Sequence, residues 1–212
     1  MITKDDAVRR QLVAAVNLYA EGSDPLPIYA LTSGPFAILK DISDARYLVI
    51  GEERDRLLKE GRVDDLIEAT ARRPAKERYS DAMLDVASLQ VHFSYPSAKA
   101  FWAAFRAKFN FLKHADEKRG GESETLAGDI ELEEAETLLL ACVVAYEELG
   151  FAASAPLTLY RDHCFAQRGL FDRCRGHRFR VGYDALPFAD RLATLRRALD
   201  LIGQGVPIVA VG

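Results

Sequence analysis

Arg106, Asn110 and His114 recur every four residues, a spacing that aligns side chains along one face of a helix, with Lys113 and Asp116 flanking that face. An imidazole, an amide and two cations gathered at one helix end have the chemistry to hold a phosphate and to move a proton near neutral pH. The same residues suit a plainer task. Asn110 and His114 can hydrogen-bond the loop that follows, with Lys113 well placed at the negative end of the helix dipole. The helix that would carry them is strongly aromatic. It starts at Ser97, just after Pro96, and spreads Phe101, Trp102, Phe105, Phe109 and Leu112 around much of its surface, so it needs burial on more than one side.

A second constellation lies nearer the C-terminus. Arg161, Arg168, Arg173, Arg175, Arg178 and Arg180 fall within twenty residues whose acids are Asp162 and Asp172. Phe165, Phe171, Phe179 and Tyr183 interleave with them, as suits stacking and phosphate contact with single-stranded nucleic acid. The competing expectation is an ordinary surface whose arginines pair with the chain's many carboxylates. His163, Cys164, Cys174 and His177 offer zinc-ligand chemistry, yet Cys174-Arg175-Gly176-His177 is the one compact pair, and adjacent His163 and Cys164 diverge on a helix. The expectation is therefore no metal and no cofactor. Cys142 sits in an apolar helix and reads as core, and His92 reads as a packed or turn-stabilising residue of a linker.

Length and charge bound what these residues can serve. With 212 residues, the chain reads as one helical domain over residues 1–212. A net charge of −4 excludes a generally basic nucleic-acid-coating protein and confines any polyanion site to a local patch. Three irregularly spaced cysteines suit a reduced, cytoplasmic setting. No secretory signal is expected at the N-terminus. The longest apolar stretch, 137–146, is about half of what a membrane span requires, so no membrane partner is expected.

Periodicity predicts the elements that must position the candidates. An amphipathic helix runs over 4–21 and stops at Gly22. Ser23-Asp24-Pro25 starts a second helix over 26–40, with a kink near Gly34-Pro35, and the two form a hairpin. Residues 45–50 read as a short strand or helical turn, and 52–59, 62–72 and 80–88 as helices. A loop over 117–125 follows the aromatic helix. Residues 132–149 are apolar almost all round and mark a central helix ended by Gly150. Ser154-Ala155-Pro156 begins another helix, and Asp184 with Pro187 begins the last, which ends near Gly203. The tail 206–211 adds a short strand or an extended segment.

The run Asn110-Phe111-Leu112-Lys113-His114-Ala115-Asp116, with the order of helices on either side, resembles the HEPN superfamily, in particular a bacterial branch with an Asn-Phe-x-Lys-His-Ala-Asp signature. That resemblance implies an all-α bundle, a homodimer, and a regulatory or defence protein that binds RNA or nucleotide, with an antitoxin or other protein as a further partner. It also implies metal-independent endoribonuclease chemistry, in which His114 takes the proton of a ribose 2′-hydroxyl while Asn110 orients the phosphate or the imidazole. Here the chain departs from the family. Phe109 stands where active members carry an arginine, so Arg106 or Lys113 must supply the phosphate-binding cation, and the site is expected to be vestigial or unusual. The alternative from a different class is a non-catalytic helical protein-interaction module in which residues 110–116 only terminate a helix.

Overall fold

A computed structural model describes residues 2–39, 41–42, 108, 130–152 and 154–211. These residues are mainly helical. Helix α1 (Lys4–Ala20) is capped by Thr3, whose hydroxyl accepts from the Asp6 N–H at 3.1 Å, and it buries Val8, Leu12, Ala15, Val16 and Tyr19, the stripe that its spacing predicts. Gly22, at φ +70, takes the left-handed conformation that ends it. Helix α2 covers 25–39, with 41–42 also helical. The helix runs unbroken through Gly34 and Pro35. Gly34 lies against Gln11 of α1, as a tight hairpin requires.

Helix α3 (Leu132–Glu148) is the central element. Every residue from Ala135 to Val143 is buried, so it is enclosed on all sides, and Gly150, at φ +80, follows its end. Helix α4 (Ala155–Ala166) starts behind Ser154 with Pro156 in its first turn, and α5 (Phe188–Gly203) starts directly behind Pro187. Asp184 belongs to a separate 3-10 turn, Tyr183–Ala185, rather than to the last helix. Helix α1 packs against α3, α4 and α5, while α4 touches α3 and α5. The edge-on pair Tyr19–Tyr160, with ring centroids 5.3 Å apart, lies where α1 meets α4.

Between α4 and α5 the chain forms a 3-10 turn, Phe171–Arg173, and then strand β1 (Arg178–Phe179). Strand β2 (Ala210–Val211) returns after α5 and pairs with it in parallel, Arg178 opposite Ala210 and Phe179 opposite Val211. The extended tail is thus a minor strand. No helix among the described residues is long and apolar enough to cross a membrane.

The elements expected over 45–50, 52–59, 62–72, 80–88 and 117–125 lie outside the described residues. So does the aromatic helix over 97–114, except for Lys108, which is helical and whose ammonium pairs with the Glu134 carboxylate of α3.

Enclosure of α3 makes its leucines sensitive to truncation. Leu139 has no solvent exposure, so Leu139→Ala should lower unfolding free energy by about 2–5 kcal/mol in a urea titration. A loss under 1 kcal/mol would mean that α3 is not the centre of the core.

Candidate functional site

Arg106, Asn110, Lys113 and His114 lie outside the described residues, as does His92. Among the described residues, the chemistry concentrates on α4 and the loop after it. Two successive residues of this helix, Asp162 and His163, are wholly buried and serve different tasks.

Asp162 gathers the loop. Its carboxylate accepts from three consecutive backbone amides, Arg175 at 3.2 Å and Gly176 and His177 each at 2.8 Å. The Arg161 guanidinium donates to it at 2.8 and 3.1 Å and also pairs with Glu147 of α3, and the His177 ring nitrogen Nδ1 lies 3.4 Å away. The Cys174 thiol donates to the Asp162 carbonyl at 3.3 Å. Burial alone would raise the Asp162 pKa. Hydrogen bonds from His177 and Arg161, the positive charge of Arg161 and the Gly176 amide together outweigh it and hold the group at about 2. Gly176 is required by close approach, since a Cβ there would meet the Thr158 methyl at 2.4 Å.

Cys174-Arg175-Gly176-His177, the one compact Cys/His pair of the sequence, wraps a carboxylate. Among the described residues, no three His, Cys, Asp or Glu side chains are arranged to hold a metal ion. Of the chain's three cysteines, Cys142 and Cys164 are fully buried, and burial pushes both thiols up. Cys174 is half-buried; burial and the nearby Asp162 charge push it up to about 11.

His163 faces another way. Its Nδ1 lies 2.7 Å from the Tyr183 hydroxyl, which donates its proton to the Arg191 carbonyl at 3.1 Å. Nδ1–H must then be the donor to Tyr183, leaving Nε2 unprotonated and without a hydrogen-bond partner among the described residues. Tyr19, Tyr160, Phe179 and Tyr183 surround the ring. Burial, reinforced by the positive charges of Arg191 and Arg168, lowers its pKa to about 3. The ring is therefore neutral near pH 7 and out of contact with solvent.

Glu136 of α3 is a second buried carboxylate. It accepts from the Tyr19 hydroxyl at 2.6 Å, Gln167 at 2.6 Å and Arg168 at 2.5 Å, joining α1, α3 and the end of α4.

The arginine cluster thus divides. Arg161 and Arg168 are committed to carboxylates inside the protein rather than on its surface, whereas Arg173, Arg175, Arg178 and Arg180 are exposed along the loop. The stacking component of the nucleic-acid expectation is not met. Phe165 on α4, Phe179 on β1 and Tyr183 in the turn before α5 are buried and Phe171 is half-buried; on β1, alternation turns Phe179 inward and leaves Arg178 and Arg180 exposed. What remains is four exposed arginines within residues 173–180, whose guanidiniums have the chemistry to donate to phosphate oxygens. Sequence reasoning missed Asp162 and Glu136; the available signal was an acid whose neighbours three and four residues away on the helix are mostly apolar, a position that demands donors.

Comparison of the chain with models of known protein families, with curated proteins and with solved structures finds no match in any of the three.

An unfolded histidine binds a proton below about pH 6.5, whereas native His163 refuses one until about 3. Stability should therefore fall as pH drops from about 6.5 towards 3, at up to about 1.4 kcal/mol per pH unit. The Asp162 contribution, present above its unfolded value, is lost only as pH falls through about 2. Denaturant titrations of His163→Gln should flatten between pH 6 and pH 4, and an unchanged slope would show that the ring does not stay neutral. Gly176→Ala should cost about 1–3 kcal/mol, and Thr158→Ser, which removes the opposing methyl, should restore most of it. Absence of that rescue in thermal melts would contradict the close approach.

Proposed function

We propose that this chain is a HEPN-like helical protein that binds RNA, contacting its phosphates, in a regulatory or defence setting. The observation that carries the reading is the set of four exposed arginines, Arg173, Arg175, Arg178 and Arg180, on a loop whose backbone is tied to Asp162 while Phe179 is buried beneath it. Such a surface gives charge-driven contact with the sugar-phosphate backbone and little base discrimination. The helix end with Asn110 and His114, served by Arg106 or Lys113, is the second part of this reading and rests on the sequence resemblance. Homodimerisation, and an antitoxin or other protein partner, belong to the same proposal. Phe109 in place of the family's arginine removes a principal electrostatic contribution to phosphate-transfer chemistry, so the protein is read as an RNA binder rather than an efficient ribonuclease.

A second reading has its own support. Arg161 and Arg168 serve only internal pairs, and His163 is sealed, so the described residues also fit a non-catalytic protein-interaction module.

Titration of fluorescently labelled single-stranded RNA at several salt concentrations separates the two. If four arginines each neutralise one phosphate, log K against log salt should fall with a slope of about −3. No binding at low salt favours the interaction module. Prolonged incubation should leave the RNA largely uncut. Cleavage that His114→Ala abolishes without changing thermal stability would instead make the helix end a working ribonuclease site.

A further inference from the structure

We propose that Asp162 is the positioning residue of the RNA-binding surface: its buried carboxylate fixes the backbone of the arginine-bearing loop so that the four exposed guanidiniums are presented together. The inference rests on the RNA-binding reading and adds to it the group that sets the geometry of the surface. A carboxylate at a helix end commonly caps one or two amides of its own helix. Asp162 instead sits inside α4 and accepts from three consecutive amides of a loop more than ten residues further on. Arg161 balances its charge and ties it through Glu147 to α3, so the anchor is part of the core. On the other side of the pinned stretch, the Arg178 N–H donates to the Val209 carbonyl at 2.9 Å, and β1 pairs with β2. Residues 175–178 are thus held at successive backbone positions.

That pinning sets the side chains. Arg178 and Arg180 flank inward-facing Phe179 and so leave the chain on the same side, while the backbone from which the Arg175 side chain departs is held by its amide bond to Asp162. Gly176 rests on Thr158 with no room for a Cβ, which prevents the loop from settling closer to α4 with any other residue there. A surface ordered before binding does not have to order its loop when RNA arrives, so affinity depends on the anchor although the anchor never meets the ligand.

The test uses the full chain, a labelled single-stranded RNA and alkylation of Cys174 by iodoacetamide, followed by peptide mass spectrometry. Cys174 reports on the loop because its thiol bonds to Asp162, and Cys142 and Cys164 are shielded in the core. In Asp162→Asn, held well below its melting temperature with unchanged helical signal, Cys174 should react on the order of tenfold faster than in wild type. RNA affinity should fall on the order of tenfold, with a salt slope shallower by about one for each arginine released. Adding Asp162→Asn to a variant with Arg173, Arg175, Arg178 and Arg180 all changed to Ala should cause no further loss of affinity, because both changes remove the same contacts. A residue that only stabilised the fold would shift the melting temperature and leave the salt slope alone. Unchanged alkylation and salt slope in Asp162→Asn, or a fully additive loss in the combined variant, overturns the inference. Should Asp162→Asn fail to fold, Gly176→Ala, which pushes the same loop off Thr158 without touching an arginine, must show faster Cys174 alkylation and a shallower salt slope, and wild-type values for both overturn the inference. Failure of the underlying reading is distinct: wild type then binds no RNA at low salt, whatever the alkylation rate of the variant.

Discussion

A carboxylate with no access to water must be surrounded by donors, and Asp162 meets that demand by recruiting a loop. Leaving a buried charge unpaired costs about 3–5 kcal/mol, a large share of the net stability of a domain this size. The loop after α4 therefore has little freedom in where its backbone goes. Three amides turn to the carboxylate, Gly176 comes down on Thr158, and the flanking residues alternate between core and solvent. Aromatic side chains take the inner positions, where apolar burial favours them, and arginines take the outer ones. The cationic surface is in this sense a consequence of a core requirement.

Glu136 imposes the same kind of demand on the helices. It draws Tyr19 from α1 and Gln167 and Arg168 from the end of α4 onto α3, fixing the rotation of each helix about its axis in a way that apolar packing alone leaves loose. Next to it, His163 and Tyr183 link α4 to the start of α5 through the Arg191 carbonyl. The two carboxylates divide the work between them: one registers the bundle, and the other shapes what the bundle presents.

Much of the bundle was legible in the sequence because its signals are local. The stripe on α1, the all-round apolar character of α3, the prolines that open α4 and α5 and the glycines after α1 and α3 act within a few residues of themselves. The candidate site was less legible because its determinants are tertiary. Nothing local distinguishes Arg161 and Arg168, which are consumed by Glu147 and Glu136, from Arg175 and Arg178, which face solvent. Nor does the spacing of Cys174 and His177 reveal that the amides of this segment turn to the Asp162 carboxylate. The parallel pairing of β1 with β2 likewise spans a whole helix and leaves no mark in either two-residue strand.

An account in which a buried carboxylate organises the exposed chemistry makes its strongest commitment at the amides of Arg175, Gly176 and His177. Native-state hydrogen exchange, followed residue by residue, reads that commitment directly. If Asp162 holds the loop, all three amides exchange slowly and together, with protection approaching that of the α4 backbone although they lie in a segment without regular structure. Exchange at rates near those of an unstructured peptide, while α3 and α4 stay protected, would contradict it.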